Sequence, residues 1–123
     1  MITDKLMIGL LSFQSWHSPR PGEACVHRKS AWFTRGDCSC TYGYGKTVLS
    51  PHACPPVLLE ATQAVMERVG IPGSSWPDSC HASLYLNGKA HVGWHADDED
   101  LFEGRDNPIR IVSLSLGASR IFQ

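Results

Sequence analysis

Hydrophobic and polar positions along the chain change rhythm between segments, and each rhythm predicts an element. Leu58, Ala61, Thr62, Val65 and Val69 recur at three- and four-residue spacing, which puts one apolar stripe on a helix from about Pro56 to Val69. Pro55-Pro56 starts it, because the missing proline N–H costs nothing in a first turn; Gly70 stops it and Pro72 forbids continuation. From Cys80 the period falls to two. Ala82, Leu84 and Leu86 alternate with His81, Ser83 and Tyr85, the pattern of a strand, and Asn87-Gly88 is a hairpin-type turn leading to His91–Trp94. After Pro108, Val112, Leu114 and Leu116 alternate with Ile111, Ser113 and Ser115, predicting a further strand; Gly117 breaks it, and Ala118–Phe122 begins another. Upstream, Ser30–Asp37 and Cys38–Lys46 are aromatic and glycine-punctuated, and read as two short strands around a Gly36-Asp37 turn. Residues 17–30 read as a loop ending in the basic cluster His27, Arg28 and Lys29, and Asp97–Asn107 as an acidic loop.

Composition narrows this picture without changing it. A chain of 123 residues is one domain at most, and 42% hydrophobic content suits a globular core. The net charge of -1 supplies no global field to recruit nucleic acid, so any basic surface is local. Five cysteines, at 25, 38, 40, 54 and 80, are an odd number without paired spacing, a poor disulfide framework. Cys38-x-Cys40 lacks the usual zinc-knuckle gap, so reduced thiols in the nucleus or cytoplasm are expected. The apolar run at the start of the chain is too short to span a bilayer, so no membrane association is expected.

The sharpest chemistry lies in Tyr85-Leu-Asn-Gly-Lys-Ala-His-Val-Gly-Trp-His95-Ala-Asp97-Asp-Glu99. On a strand, His95 and Asp97 project from one face. One imidazole and one carboxylate make two thirds of a 2-His-1-carboxylate facial triad, the arrangement that holds Fe(II) and leaves positions open for co-substrate and dioxygen. No histidine follows His95 in the sequence.

The Tyr-x-x-Gly, Trp-His-x-Asp-Asp-Glu and Ser-Leu-Ser-Leu-Gly-Ala-x-Arg-x-Phe segments between Asp78 and Phe122 resemble the AlkB-type family of Fe(II)- and 2-oxoglutarate-dependent dioxygenases. Lys29-Ser-Ala-Trp-Phe and Thr41-Tyr-Gly-Tyr resemble that family's nucleotide-recognition lid. The resemblance implies an α+β fold: an incomplete double-stranded β-helix, or jelly roll, with one packed helix. It covers residues 27–123, with 27–50 lid-like, 55–70 helical and 80–123 carrying the first core strands, and leaves residues 1–26 unassigned. It implies oxidative demethylation of N-alkylated nucleobases in DNA or RNA, with Fe(II) as cofactor and 2-oxoglutarate as co-substrate. His95 and Asp97 are then iron ligands and Tyr85 the phenol that binds 2-oxoglutarate. Ser83 stands where the family often has asparagine. Trp32, Phe33, Tyr42 and Tyr44 are candidates for stacking on an extruded base, with Asp98 beside it. Arg28, Lys29, Arg35 and Lys46 are candidates for phosphate contacts. Core packing is the alternative role for the aromatics, and a solvated surface for the charges.

The family's distal histidine, late arginine pair and barrel-closing strands have no counterpart in the sequence. A partial domain, inactive by itself, is therefore expected, and a monomer. Two other readings stay open: a non-catalytic remnant that binds nucleic acid, and an oxygenase acting on a protein or small-molecule substrate.

Overall fold

The computed structural model describes residues 1–21, 25–97 and 99–123, with only the backbone at 25 and 26. The chain divides into two compact units, one of residues 1–14, 54–77 and 111–123, the other of residues 15–53 and 78–110.

The first unit is helical. Helix α1 (Ile2–Leu11) buries Leu6, and α2 (Pro56–Arg68) buries Leu58, Ala61 and Met66. The two helices pack together, with Gly9 of α1 close against Val57 of α2. The expected helix is therefore present within a residue, but it has a second helix as partner where only one was expected. Its C-terminus closes by the predicted device: Gly70 takes φ +72°, its N–H donates to the Glu67 carbonyl, and the Ile71 N–H reaches the Met66 carbonyl at 2.9 Å. These paired bonds satisfy carbonyls that the end of a helix otherwise leaves open. The apolar stripe is shifted in burial, since Val69 is exposed and Met66 takes the core position. Residues 111–123 form no strand. Both strands expected there are thus corrected: Ile111, Val112 and Leu114 are all exposed, and alternation without a neighbouring ladder does not make a strand.

The second unit is built of seven short strands among the described residues. β2 (Arg28–Thr34) is the centre of a three-stranded sheet, parallel to β5 (Pro51–Ala53) and antiparallel to β6 (Ser79–Tyr85). Its register with β6 runs from Arg28↔Tyr85 to Thr34↔Ser79. A central strand is covered on both faces, and six of the seven residues of β2 are buried. β3 (Tyr42–Tyr44) and β4 (Thr47–Leu49) form a hairpin around Gly45-Lys46, with Gly45 at φ +55°. A two-residue hairpin turn needs that positive φ, which glycine adopts without strain. The turn expected at Gly36-Asp37 joins no hairpin; the true one lies at Gly45-Lys46. Asn87-Gly88 likewise turns locally, with the Asn87 side chain accepting the Lys89 N–H at 2.9 Å. The flanking strands do not pair with each other, because β7 (His91–Val92) pairs with β1 (Cys25–Val26). The predicted loop over 17–30 thus contains β1 and the start of β2, and His17 forms a bridge to Ser30.

Candidate functional site

Residues two apart on a strand share a face, so Arg28, Ser30, Trp32 and Thr34 of β2 line up with Tyr85, Ser83, His81 and Ser79 of β6. Against this face stands a cluster of Trp32, Tyr42 and Leu49, with Cys40, Tyr44 and Phe102 packed on it. Trp32 and Tyr42 stack with ring centroids 4.8 Å apart, and the Trp32 indole N–H donates to the Cys40 carbonyl at 2.8 Å. Tyr44 shares a hydrogen bond with Ser30 at 3.0 Å, and the Arg28 guanidinium lies 5.5 Å from the Tyr44 ring centroid. Phe33 faces the other way, toward His52. Of the four aromatics singled out from the sequence, Trp32, Phe33 and Tyr42 are buried and Tyr44 is half-buried. Their ring faces are taken up largely by protein neighbours.

The cluster also holds two polar groups, Glu99 and His81, that the sequence did not join to the aromatics. The Tyr42 hydroxyl donates to Glu99 Oε1 at 2.7 Å, whereas Glu99 Oε2 is buried with no hydrogen-bond partner. Burial, followed by the hydrogen bond and charge of Glu99, pushes the Tyr42 phenol well above its usual range. His81 lies 4.9 Å from the Tyr42 ring and 5.5 Å from the Tyr44 ring, and its Nε2 is buried and unpartnered. Burial, and then the positive charge of Arg28, lowers its imidazole to about 4, so it is neutral at physiological pH. The available signal for His81 was its place on the predicted strand face that also carries Tyr85. Glu99 closes the Trp-His-x-Asp-Asp-Glu segment, whose acidic pair the resemblance sets near the bound base; its bond to Tyr42 had no signal in the sequence.

His95 and Asp97 come together on the same unit. His95 Nε2 and Asp97 Oδ1 are 3.4 Å apart, each side chain about half exposed. They lie beyond the end of β7, not on a strand as expected, so a loop and not a ladder aligns them. The His95 Nδ1 contacts the Gly93 carbonyl at 2.8 Å. With the proton on Nδ1 donating to that carbonyl, the Nε2 lone pair faces the carboxylate. Two electron-rich atoms so placed suit a cation between them, and a backbone carbonyl behind the other ring nitrogen is the usual support for a metal-bound histidine. The pair fits two of the three protein positions of a facial triad. Among the described residues no three of histidine, cysteine, aspartate and glutamate gather into one cluster. The loop continues through Glu99 to a short 3-10 turn over Asp100–Phe102, whose Phe102 ring packs 5.7 Å from Tyr42. Glu99 and Phe102 thus fasten the loop that carries His95 and Asp97 to the aromatic cluster.

Tyr85 ends β6 opposite Arg28, and its side chain is 43% exposed, so the phenol is available to a ligand without being enclosed. Asp98 lies outside the described residues. No helix among the described residues is long and apolar enough to cross a membrane.

A jelly-roll oxygenase sequence pattern extends over nearly all of this chain. The sequence model of the 2OG-Fe(II) oxygenase superfamily matches residues 6–123, and the protein belongs to that superfamily. Membership makes it a dioxygenase by family, with Fe(II) and 2-oxoglutarate as the cofactor and co-substrate of its chemistry. The match begins at residue 6, within α1, and so takes in residues 6–26 of the stretch that the AlkB-type resemblance leaves unassigned. No curated protein matches the chain.

Proposed function

We propose that this protein is a dioxygenase of AlkB type, which oxidatively demethylates N-alkylated nucleobases in DNA or RNA. The observation that carries the reading is the His95–Asp97 pair, with Nδ1 engaged by Gly93 and Nε2 turned to the carboxylate. His95 and Asp97 would hold Fe(II), and Tyr85 would hydrogen-bond 2-oxoglutarate. Bound there, the metal supplies the reduction of dioxygen coupled to decarboxylation of the co-substrate, and hydroxylation of an N-methyl group releases formaldehyde. The chain's own contribution is positional. Gly93 fixes which His95 nitrogen is free, and the Tyr42–Glu99 bond restrains the loop two residues beyond Asp97. Support for a polynucleotide substrate comes from Lys29, Arg35 and Lys46, in or beside the segments that resemble the nucleotide-recognition lid, charges of the kind that meet phosphates; Arg28, the fourth candidate, is buried.

One observation favours a second reading, an oxygenase whose substrate is a protein or small molecule. Trp32 and Tyr42 are buried and stacked on each other, so neither presents a free face to a base.

Titration with Mn(II), a redox-stable stand-in for Fe(II), is expected to show binding that His95→Ala or Asp97→Ala weakens by at least about 100-fold, beyond what loss of an outer-shell partner costs. Unchanged affinity in both variants sinks the metal assignment. With Fe(II), 2-oxoglutarate and N-methylated oligonucleotides, release of formaldehyde that His95→Ala abolishes supports the nucleobase reading. Succinate formed on a methylated protein or small molecule, with none on any oligonucleotide, replaces it by the second.

A further inference from the structure

The loop between β2 and β3 carries a feature that oxygenase chemistry does not use. Cys38 and Cys40 are both half-buried thiols whose sulfurs are 2.8 Å apart. Thiols already in contact close a disulfide with little backbone movement. The loop is shaped by a turn in which the Cys38 N–H approaches the Arg35 carbonyl at 3.4 Å and Gly36 takes φ +63°. Its far end is anchored, since the Cys40 carbonyl accepts the Trp32 indole N–H and Cys40 packs on the cluster of Trp32, Tyr42 and Leu49. The fold therefore holds the two sulfurs together and ties one of them to the aromatic cluster.

We propose that Cys38 and Cys40 form a reversible thiol–disulfide modification site, oxidised by low-molecular-weight disulfides of the glutathione type. The Cys38 thiolate attacks one sulfur of glutathione disulfide; a Cys38–glutathione bond forms, the glutathione S–S bond breaks, and one glutathione thiolate leaves. Cys40 then attacks Cys38, the intramolecular disulfide forms, and the second glutathione leaves. The two protein thiols give up two electrons and two protons, and both glutathione thiols receive them. The order follows from the pair's environment. Cys40 is the buttressed member, packed on the aromatic cluster with its carbonyl held by Trp32, which leaves Cys38 as the first nucleophile; the hydrogen bond with Cys38, and then burial, push the Cys40 thiol up in the same sense. A disulfide spanning a single residue is constrained, and constrained disulfides are the readily reduced, regulatory kind. This inference is independent of the oxygenase reading.

The sequence makes the test clean. Trypsin cuts after Arg35 and Lys46, and the peptide Gly36–Lys46 contains Cys38 and Cys40 but no other cysteine. The protein is equilibrated in glutathione redox buffers, quenched with acid and alkylated, and that peptide is weighed. The expected product is a peptide two hydrogens lighter, unalkylated, and restored by dithiothreitol. The folded protein should reach half oxidation at a glutathione disulfide excess about tenfold smaller than the same chain in guanidinium, because the fold has already paired the sulfurs. In Cys40→Ser the peptide should instead stop as a Cys38–glutathione adduct. The proposal is overturned if the folded chain forms two separate adducts, stays reduced where the denatured chain oxidises, or shows no difference between the two states.

Discussion

Replacing Tyr42 by phenylalanine removes one oxygen atom and tests how the candidate site is held in place. The ring, and with it the stack on Trp32 at 4.8 Å, stays. What goes is the 2.7 Å hydrogen bond to Glu99 Oε1. Since Glu99 Oε2 is already buried without a partner, the variant leaves neither carboxylate oxygen bonded. A hydrogen bond to a charged group contributes about 1.5–3 kcal/mol, and one between neutral groups about 1 kcal/mol. Tyr42→Phe should therefore cost about 2 kcal/mol at pH 7, and roughly half of that in a Glu99→Gln background, where the acceptor is neutral. Urea unfolding followed by tryptophan fluorescence reads both, with the slope against urea unchanged if only stability moves. At this chain length 1 kcal/mol corresponds to roughly 3–6 °C in Tm, so heating gives a second measure. Because Glu99 lies two residues beyond Asp97, the same change should weaken Mn(II) binding by about tenfold. A cost below about 0.5 kcal/mol, or an equal cost in the two backgrounds, would refute the claim that a charge-assisted bond fastens this loop.

Other perturbations test neighbouring elements. His81 is neutral because burial and Arg28 hold its imidazole near 4 against an ordinary 6.5. The unfolded chain takes up a proton as pH falls below 6.5 while the folded one does not, so stability is full above that pH and declines through pH 4, by up to about 3 kcal/mol; His81→Leu should remove that decline, as read by unfolding at pH 7, 5.5 and 4. Gly70→Ala, at φ +72° with open space around it, should cost about 1–2 kcal/mol through backbone strain alone, and Gly73→Ala, without positive φ, much less. Gly9→Ala would place a Cβ 2.7 Å from a Val57 methyl, so the roughly 1 kcal/mol gained in helix propensity should be outweighed; adding Val57→Ala should relieve that contact, and thermal melts that show no such relief sink the packing account.

Elements whose cues are local were legible in the sequence. The α2 helix carries its start, its stripe and its stop within sixteen or so residues, and Pro56, Gly70 and the intervening spacing correspond to what formed. β6 was legible because its partner covers it unevenly and its composition alternates. Partnership was the hidden variable elsewhere. Nothing in Asn87-Gly88 reveals that the strands on either side pair with β2 and β1 instead of each other, and nothing in Ile111–Leu116 reveals that no strand lies beside it. The hairpin at Gly45 went to the glycine that could take positive φ between two strands of matched length, a choice between Gly36 and Gly45 that turn chemistry alone does not make, since both have positive φ.

The candidate site divides along the same line. His95 and Asp97 were found because two metal-binding side chains two positions apart need only an extended backbone, and their 3.4 Å approach requires no strand at all. The aromatics were found as residue types, but which surface they serve depends on the register of β2 with β6. Trp32 stands opposite His81 and Arg28 opposite Tyr85, so one face of the sheet gathers an indole, an imidazole, a guanidinium and a phenol that are far apart in sequence. Tyr42 and Glu99 are separated by 57 positions, and no spacing rule links them. Yet that one hydrogen bond, with Phe102 beside it, connects the aromatic cluster to the loop of the His95–Asp97 pair. A perturbation of Tyr42 should thereby reach the pair through Glu99, whereas Phe33 faces His52 on the other side of the sheet. Phe33→Leu should accordingly lower stability through lost packing but leave Mn(II) affinity per folded molecule unchanged, whereas Tyr42→Phe should lower both.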